Sequence, residues 1–356
     1  MTTGILLINL GSPKSPTPRD VKTYLDEFLM DQYVIDLPYF FRYLLVKGII
    51  LNVRPKKSAH AYQSIWWDEG SPLIVLSEQV KQKLSAHISE PISLAMRYAE
   101  PSIKDGIDDL LKQSPTIDNI IAVPLYPHYA MATTQTVVEK MNAVVKKSYS
   151  HIKVSYVPPF YDNDAYIQSL QSVISDHLTD QTDYLLFSYH GVPVRHLKKT
   201  DPTNAHCFKI KDCCFIPNAE AHPVCYAHQV KRTTQLVMDK IDFPANKWSW
   251  AFQSRLGLDQ WLEPFADAEI ERLAKSGVKH LAVCCPAFVS DCLETLEEIG
   301  EEARDIFLTH GGKTFTLIPC LNADDRWIDA LHSIIKAQQQ APVRILLSQV
   351  PIEELV

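Results

Sequence analysis

The chain has 356 residues, 46% of them hydrophobic and 22% charged, which is long enough for two domains with separate cores and ordinary for a soluble globular protein. Its formal charge of −7, with basic residues scattered rather than clustered, argues against a nucleic-acid surface. With 11 glycines and neither a GxGxxG nor a GxxxxGK(S/T) loop, a dinucleotide or P-loop site has no support.

The chain enters at once the strand-like run Gly4-Ile5-Leu6-Leu7-Ile8-Asn9-Leu10, without a basic leader or small-residue cleavage site, so a cytoplasmic protein is expected. Apolar runs then alternate with helical patterns, the signature of parallel α/β architecture. Strands are expected at Ile5–Leu10, Ile92–Tyr98, Ile120–Leu125, Lys153–Val157, Tyr184–Ser188, Lys247–Phe252, Val278–Cys285 and Thr314–Ile318. Helices are expected between them, among them Thr17–Met30, Leu76–Leu84, Asp164–His177, Glu263–Ser276 and Cys292–Thr309. The longest apolar stretch, Leu37 to Val53, carries Arg42 and Lys47 and falls short of the ~20 residues that span a bilayer. Its pattern favours a partly buried helix over a segment resting on a membrane surface or a lip over an apolar cleft.

Four strand ends carry polar, aromatic and proline residues: Asn9-Leu10-Gly11-Ser12-Pro13, Tyr126-Pro127-His128-Tyr129, His190-Gly191-Val192-Pro193 and Cys285 to Ser290. In open α/β sheets ligands bind at the carboxyl ends of the strands. His190 is delivered there by a rigid element, and a neutral imidazole can accept a proton or bind a metal. After Cys285 comes an acidic run in which Glu294, Glu298 and Glu302 fall at i, i+4 and i+8 of a helix, stacked on one face. Such a ladder suits a divalent cation or a proton relay. Asp291 with Glu294 also fits a capping box, which needs no catalytic role. Histidine and carboxylates without a required thiolate suit Fe²⁺ or a similar borderline ion.

The motifs Leu6 to Pro13, Met96-Arg97-Tyr98, Leu125 to Tyr129 with Thr133-Thr134, Ser188 to Pro193, Phe252-Gln253-Ser254-Arg255 with Trp261-Leu262-Glu263-Pro264, and Phe288 to Leu296 together resemble the ferrochelatases, in the order of that family. The resemblance implies two Rossmann-like α/β domains with parallel sheets flanked by helices, an active-site cleft between them, and insertion of Fe²⁺ into a porphyrin to form heme. The expected domains are 1–155 and 156–325, with a C-terminal helix and tail at 326–356. It implies His190 and Glu294 as the catalytic pair, with Glu298 and Glu302 as further metal-side carboxylates. Leu10, Arg54, Tyr62, Ser71, Tyr126 and Trp261 match positions that line or anchor the porphyrin. Partners would be the porphyrin and ferrous iron, with peripheral membrane contact as an option and no nucleic acid. A chelatase for another tetrapyrrole or metal, and a non-catalytic heme or metal carrier, are the competing readings.

Two departures stand out. Cys292 occupies a position, two before the metal-side glutamate, where the family commonly has histidine. In the insert 198–226, Cys207, Cys213, Cys214 and Cys225 pack four thiols into nineteen residues, a spacing that resembles ferrochelatases with an internal [2Fe-2S] insert. Zinc held with His206, His222 or His228 and a disulfide pair are the alternatives.

Overall fold

The computed structural model describes residues 2–257 and 259–342; the tail expected at 343–356 lies outside the described residues. The chain divides into two compact units, Met1–Tyr126, Ala130–Pro158 and Leu331–Val356 in the first, Pro127–Tyr129 and Pro159–Ala330 in the second. The division falls at Pro158–Pro159, a few residues beyond the boundary expected at 155.

The first sheet contains β1 (Thr2–Asn9), β2 (Ile92–Met96), β3 (Ile117–Pro124) and β4 (Lys153–Tyr156), in the order β2-β1-β3-β4. The second contains β5 (Tyr184–His190), β6 (Trp248–Gln253), β7 (His280–Cys284) and β8 (Thr314–Leu317), in the order β6-β5-β7-β8. Every pairing is parallel, and the two orders are the same topology repeated. The strand at Lys153 pairs with β3 and completes the first sheet. Strands buried on both faces read as unbroken apolar runs; Ile5, Leu6, Leu7 and Ile8 are fully buried, as are Leu185, Leu186 and Phe187 in β5.

Helices pack on both sheets and begin where their caps dictate. Thr17 accepts from the Asp20 N–H, with proline following at the first helical position, so the helix Pro18–Leu29 starts there. Ser102 and Asp105 form a reciprocal capping box at Ile103–Gln113, and Asn163 caps Asp164–His177. The helix Asp325–Gln340 has Trp327 fully buried beside Phe160 and Tyr166. From Leu331 it belongs to the first unit, where Gln339 donates to Glu90 at 2.6 Å.

The stretch Leu37–Val53 is a partly buried helical segment, as expected: helical at Tyr39–Tyr43, π-helical at Leu44–Ile50 and helical again from Leu51. Tyr39, Phe40, Phe41, Leu44, Ile49 and Val53 are exposed, while Val46 and Leu51 turn inward. The helix expected at Cys292–Thr309 is interrupted: Leu293–Leu296 is α-helical, Glu298–Ala303 is π-helical and Arg304–Thr309 is α-helical. The Glu302 N–H reaches back to the Glu297 carbonyl at 3.0 Å, the i→i+5 bond of a π turn.

Candidate active site

β5 ends at His190, and the backbone there is tied down on several sides. Its register partner on β6 is Gln253, and the Gly191 N–H donates to the Gln253 carbonyl at 2.6 Å. The Tyr226 hydroxyl donates to the His190 carbonyl at 2.9 Å. The imidazole Nδ1 lies 2.6 Å from the Gly191 carbonyl, which can only accept, so Nδ1 carries the proton and Nε2 presents a lone pair. Phe288 stands edge-on to the ring at 6.4 Å. The glycine at 191 is demanded by space: a Cβ there would lie 2.9 Å from the Ser254 carbonyl oxygen, 3.0 Å from that of Gln253 and 3.2 Å from the Trp261 ring. Trp261 is held in turn by its indole N–H, which donates to the Leu256 carbonyl at 3.1 Å.

The acidic segment follows β7. Cys292, rather than Asp291, is its N-cap residue, and the Cys292 N–H donates to Thr295 Oγ1 at 3.0 Å. The capping box expected from Asp291 and Glu294 is therefore replaced by Cys292 and Thr295. Asp291 is buried and accepts from Thr295 Oγ1 at 2.8 Å and Asn322 Nδ2 at 2.7 Å, so it braces the turn from beneath. Glu294 and Glu298 are half-buried and Glu302 is exposed, so the acidic residues lead from the interior to solvent. The buried Cys292 thiol lies within hydrogen-bonding reach of the Glu294 carboxylate; burial first, and that carboxylate second, push the thiol far up.

Glu298 is held at both carboxylate oxygens. Its Oε1 accepts from the Ser254 N–H at 2.7 Å, and its Oε2 from the Ser254 hydroxyl and from Gln253 Nε2 at 3.2 Å. Gln253 Nε2 also donates to the Glu294 carbonyl at 2.6 Å. Gln253 thus links the backbone of the His190 strand to the Glu294 carbonyl and to the Glu298 carboxylate. Sequence reasoning quoted the Phe252–Arg255 motif without assigning Gln253 or Ser254 a role. The available signal was an amide and a hydroxyl at a strand end beside the histidine strand.

The porphyrin-matched residues of the first unit are dispersed along it. Leu10 follows β1 and packs partly against the core, and Gly11 beside it has φ +113° with the Tyr98 carbonyl too close for any Cβ. Tyr126, just beyond β3, is buried with an unpartnered hydroxyl, and burial pushes that phenol far up. Arg54 is exposed on the helix Leu51–Ile65, where Tyr62 is buried edge-on to Tyr24 and Trp66. Ser71 is the buried N-cap of Pro72–Leu84.

The thiol insert occupies its own corner of the second unit. Cys225 is within hydrogen-bonding reach of Cys207 and of Cys214, and Cys214 of Cys213, which links all four sulfurs in a chain. The Cys207 contact first, then burial, push the Cys225 thiol up to about 12. Two backbone N–H groups point at sulfur, Phe208 onto Cys213 and His228 onto Cys225. The rings of His206 and His222 both reach the Cys213 carbonyl, at 2.8 and 3.2 Å, and His228 reaches that of Cys214 at 2.7 Å. Among the described residues no group of three or more His, Cys, Asp or Glu is arranged to hold a metal ion. In kind, thiols linked pairwise and N–H donors directed at sulfur are the groups an iron–sulfur cluster takes.

The ferrochelatase family pattern matches residues 2–339. The ferrochelatase of Pseudomonas fluorescens strain Pf0-1 is 47% identical over 342 residues, covering 96% of this chain and 98% of that one. The chain belongs to the ferrochelatase family. A second member, the ferrochelatase of Stutzerimonas stutzeri strain A1501, is 45% identical over 338 residues, covering 95% and 98%. Among solved structures, SirB from Bacillus subtilis with Fe³⁺ superposes with a TM-score of 0.56 at 13% identity, covering 97% of this chain and all of that one. That likeness shows that this ferrochelatase-family chain shares a two-sheet α/β fold with a chelatase, and it is evidence of fold alone. No helix among the described residues is long and apolar enough to cross a membrane.

Proposed function

We propose that this protein inserts Fe²⁺ into a porphyrin, either the dicarboxylate protoporphyrin to form heme or the tetracarboxylate coproporphyrin to form the corresponding iron porphyrin. Two pyrrole N–H bonds break, the two nitrogens bind the metal, and two protons leave. His190 accepts a proton at Nε2, the atom left open by the Nδ1 bond to Gly191. Glu294 supplies the facing carboxylate, and Glu298 and Glu302 extend negative charge along the segment toward solvent. Trp261 in the second unit, and Leu10, Arg54, Tyr62, Ser71 and Tyr126 in the first, contact or anchor the macrocycle. A site complementary to a bent ring exposes the nitrogen lone pairs and favours the transition state over the flat substrate.

The observation that carries the reading is the imidazole fixed at the β5 end by Gly191, on a strand whose sheet partner Gln253 bonds the Glu294 carbonyl and the Glu298 carboxylate, in a chain of this family. Its test is His190→Ala. Loss of a general base removes about 10²–10⁴-fold of rate, so insertion followed by porphyrin absorbance should fall at least a hundredfold while porphyrin binding, read by fluorescence quenching, persists. Residual turnover near that of the wild type would refute the assignment.

Cys207, Cys213, Cys214 and Cys225 hold a [2Fe-2S] cluster in this reading, supported by the linked thiols and the N–H donors described above. When bound, such a cluster cross-links the insert and offers a one-electron centre; the insertion steps use this chain's own His190 and carboxylates. The exposed aromatic and aliphatic face from Tyr39 to Val53 supports peripheral contact with a membrane surface.

A further inference from the structure

The side-chain amide of Gln253 has every hydrogen-bonding position assigned. Its two N–H groups go to the Glu294 carbonyl at 2.6 Å and Glu298 Oε2 at 3.2 Å. Its oxygen accepts from Ser188 Oγ at 2.7 Å and from the Cys285 thiol at 3.8 Å. This orientation is set by the acceptors, because a flipped amide would put its oxygen against the Glu294 carbonyl and the Glu298 carboxylate. Gln253 is 3% exposed, so none of these bonds is open to exchange with bulk water. Ser188 lies two residues before His190 on β5, and Gln253 itself pairs with His190 in the sheet. One amide therefore joins the histidine strand to the turn that carries Glu294 and to the carboxylate of Glu298.

Ser254 adds a second clamp. Its φ of +58° is in the left-handed region that a non-glycine residue seldom occupies. That conformation turns its N–H toward Glu298 Oε1 while its hydroxyl reaches Oε2. Strain of this kind persists where surrounding bonds over-determine it and clusters at functional sites. Three donors from two adjacent residues thus occupy both oxygens of Glu298.

We propose that Gln253 and Ser254 are positioning residues for metal insertion: they hold Glu298 as a stationary carboxylate that attracts the incoming metal, and they lock the Glu294 turn to the His190 strand. Glu298 then differs in kind from Glu294. It sets affinity for the metal, whereas Glu294 takes part in the chemistry. The inference rests on the metal-insertion reading above.

The experiment uses Zn²⁺ and Fe²⁺ with the full chain. Hydrogen bonds to a charged group contribute enough that losing one changes affinity about tenfold or more. Glu298→Gln should therefore raise KM for metal about tenfold, with kcat at saturating metal lowered less than about threefold. Gln253→Glu places an acceptor against Glu298 and the Glu294 carbonyl, and should both raise KM and lower kcat, each by about tenfold or more. The exchanged pair Gln253→Glu with Glu298→Gln restores a donor–acceptor match, so kcat should recover at least about fivefold over Gln253→Glu alone. A purely structural role would not produce that recovery. Additive losses in the double variant, or a collapse of kcat with unchanged KM in Glu298→Gln, would overturn the proposal. If Gln253→Glu does not fold, Ser254→Gly and Ser254→Ala decide, since both remove the hydroxyl and only glycine relaxes the backbone. Both should raise metal KM about threefold or more, and wild-type KM in both would overturn the proposal. His190→Ala run alongside separates the outcomes. If it is inactive while the Gln253 and Ser254 variants behave as wild type, the positioning role fails alone; if it turns over, the insertion reading itself fails.

Discussion

Adding one methyl group at Gly191 tests whether the packing of the β5 end sets the position of His190. Gly191 does not have a positive φ, so Gly191→Ala introduces no backbone strain of its own and acts through space alone. The new Cβ would sit 2.9 and 3.0 Å from two carbonyl oxygens of the 253–254 segment and 3.2 Å from the Trp261 ring. Neither oxygen belongs to a flexible side-chain end, and the Gln253 carbonyl already accepts the Gly191 N–H at 2.6 Å. Relief to ordinary contact requires β5 and the 253–254 segment to part by a few tenths of an ångström. Overpacking of this kind destabilises by about 1–3 kcal/mol. For a unit of this size that is about 2–12 °C in Tm. Catalytic groups need placement within about 0.5 Å, so kcat should fall by about tenfold. Thermal unfolding by circular dichroism and single-turnover Zn²⁺ insertion would measure the two effects. A variant with wild-type Tm and kcat would show that the β5 end has slack that the distances do not suggest.

Three further outcomes are expected. Purified protein should be coloured and contain iron and acid-labile sulfide in equal amounts, with Cys→Ser at 207, 213, 214 or 225 removing both; a colourless, zinc-bearing preparation would discard the cluster. Phe40→Ser with Phe41→Ser, both exposed on the 39–53 face, should reduce cosedimentation with anionic lipid vesicles, and unchanged binding would remove the membrane role. Ser102→Ala should destabilise by about 1 kcal/mol at neutral pH through loss of the cap. The Ser102 hydroxyl and N–H hold the Asp105 carboxyl below its ordinary value, so that part of the stability is full above the unfolded Asp range, near ~3.9, and fades as pH falls through the lower folded value. The gap between variant and wild type should accordingly narrow in acid, and a gap that widened there would contradict the sign.

The sheets were legible chiefly from their central strands, which are buried on both faces. Runs such as Ile5–Ile8 and Leu185–Phe187 carry no polar interruption, and nothing but a central parallel strand fits them. His190 was legible for the related reason that an apolar run stops on it. The acidic segment was read as one helix because Glu294, Glu298 and Glu302 keep a four-residue spacing, a signal that a π turn preserves nearly as well as an α-helix. The i→i+5 bonding of Glu298–Ala303, of which the Glu302 bond to Glu297 is one, separates them, and it lives in the backbone. In the 39–53 stretch the apolar pattern with Arg42 and Lys47 gave a partly buried helix, but which apolar residues stay exposed is not legible, because hydrophobicity implies burial only in one direction. Gln253 was invisible in its role because an amide at a strand end has many uses, and its four partners come from β5, β7 and the 294–298 turn, far apart in sequence.

The division of labour between sheet and turn explains why such a connector is needed. His190 sits on a strand paired on both sides, with β6 and β7, so its backbone cannot drift. Glu294 and Glu298 sit on a four-residue helix running into a π turn, where the hydrogen-bond ladder is irregular and by itself fixes position poorly. A site that must hold imidazole and carboxylates at a set separation needs the rigidity of the first lent to the second. Asp291 braces the turn from below through Thr295 and Asn322, and Gln253 and Ser254 clamp it from the side. Both braces originate at strand ends or the loops that follow them. The position of the Glu298 carboxylate, and of the Glu294 backbone, is thus borrowed from the sheet rather than from the irregular helix that carries them.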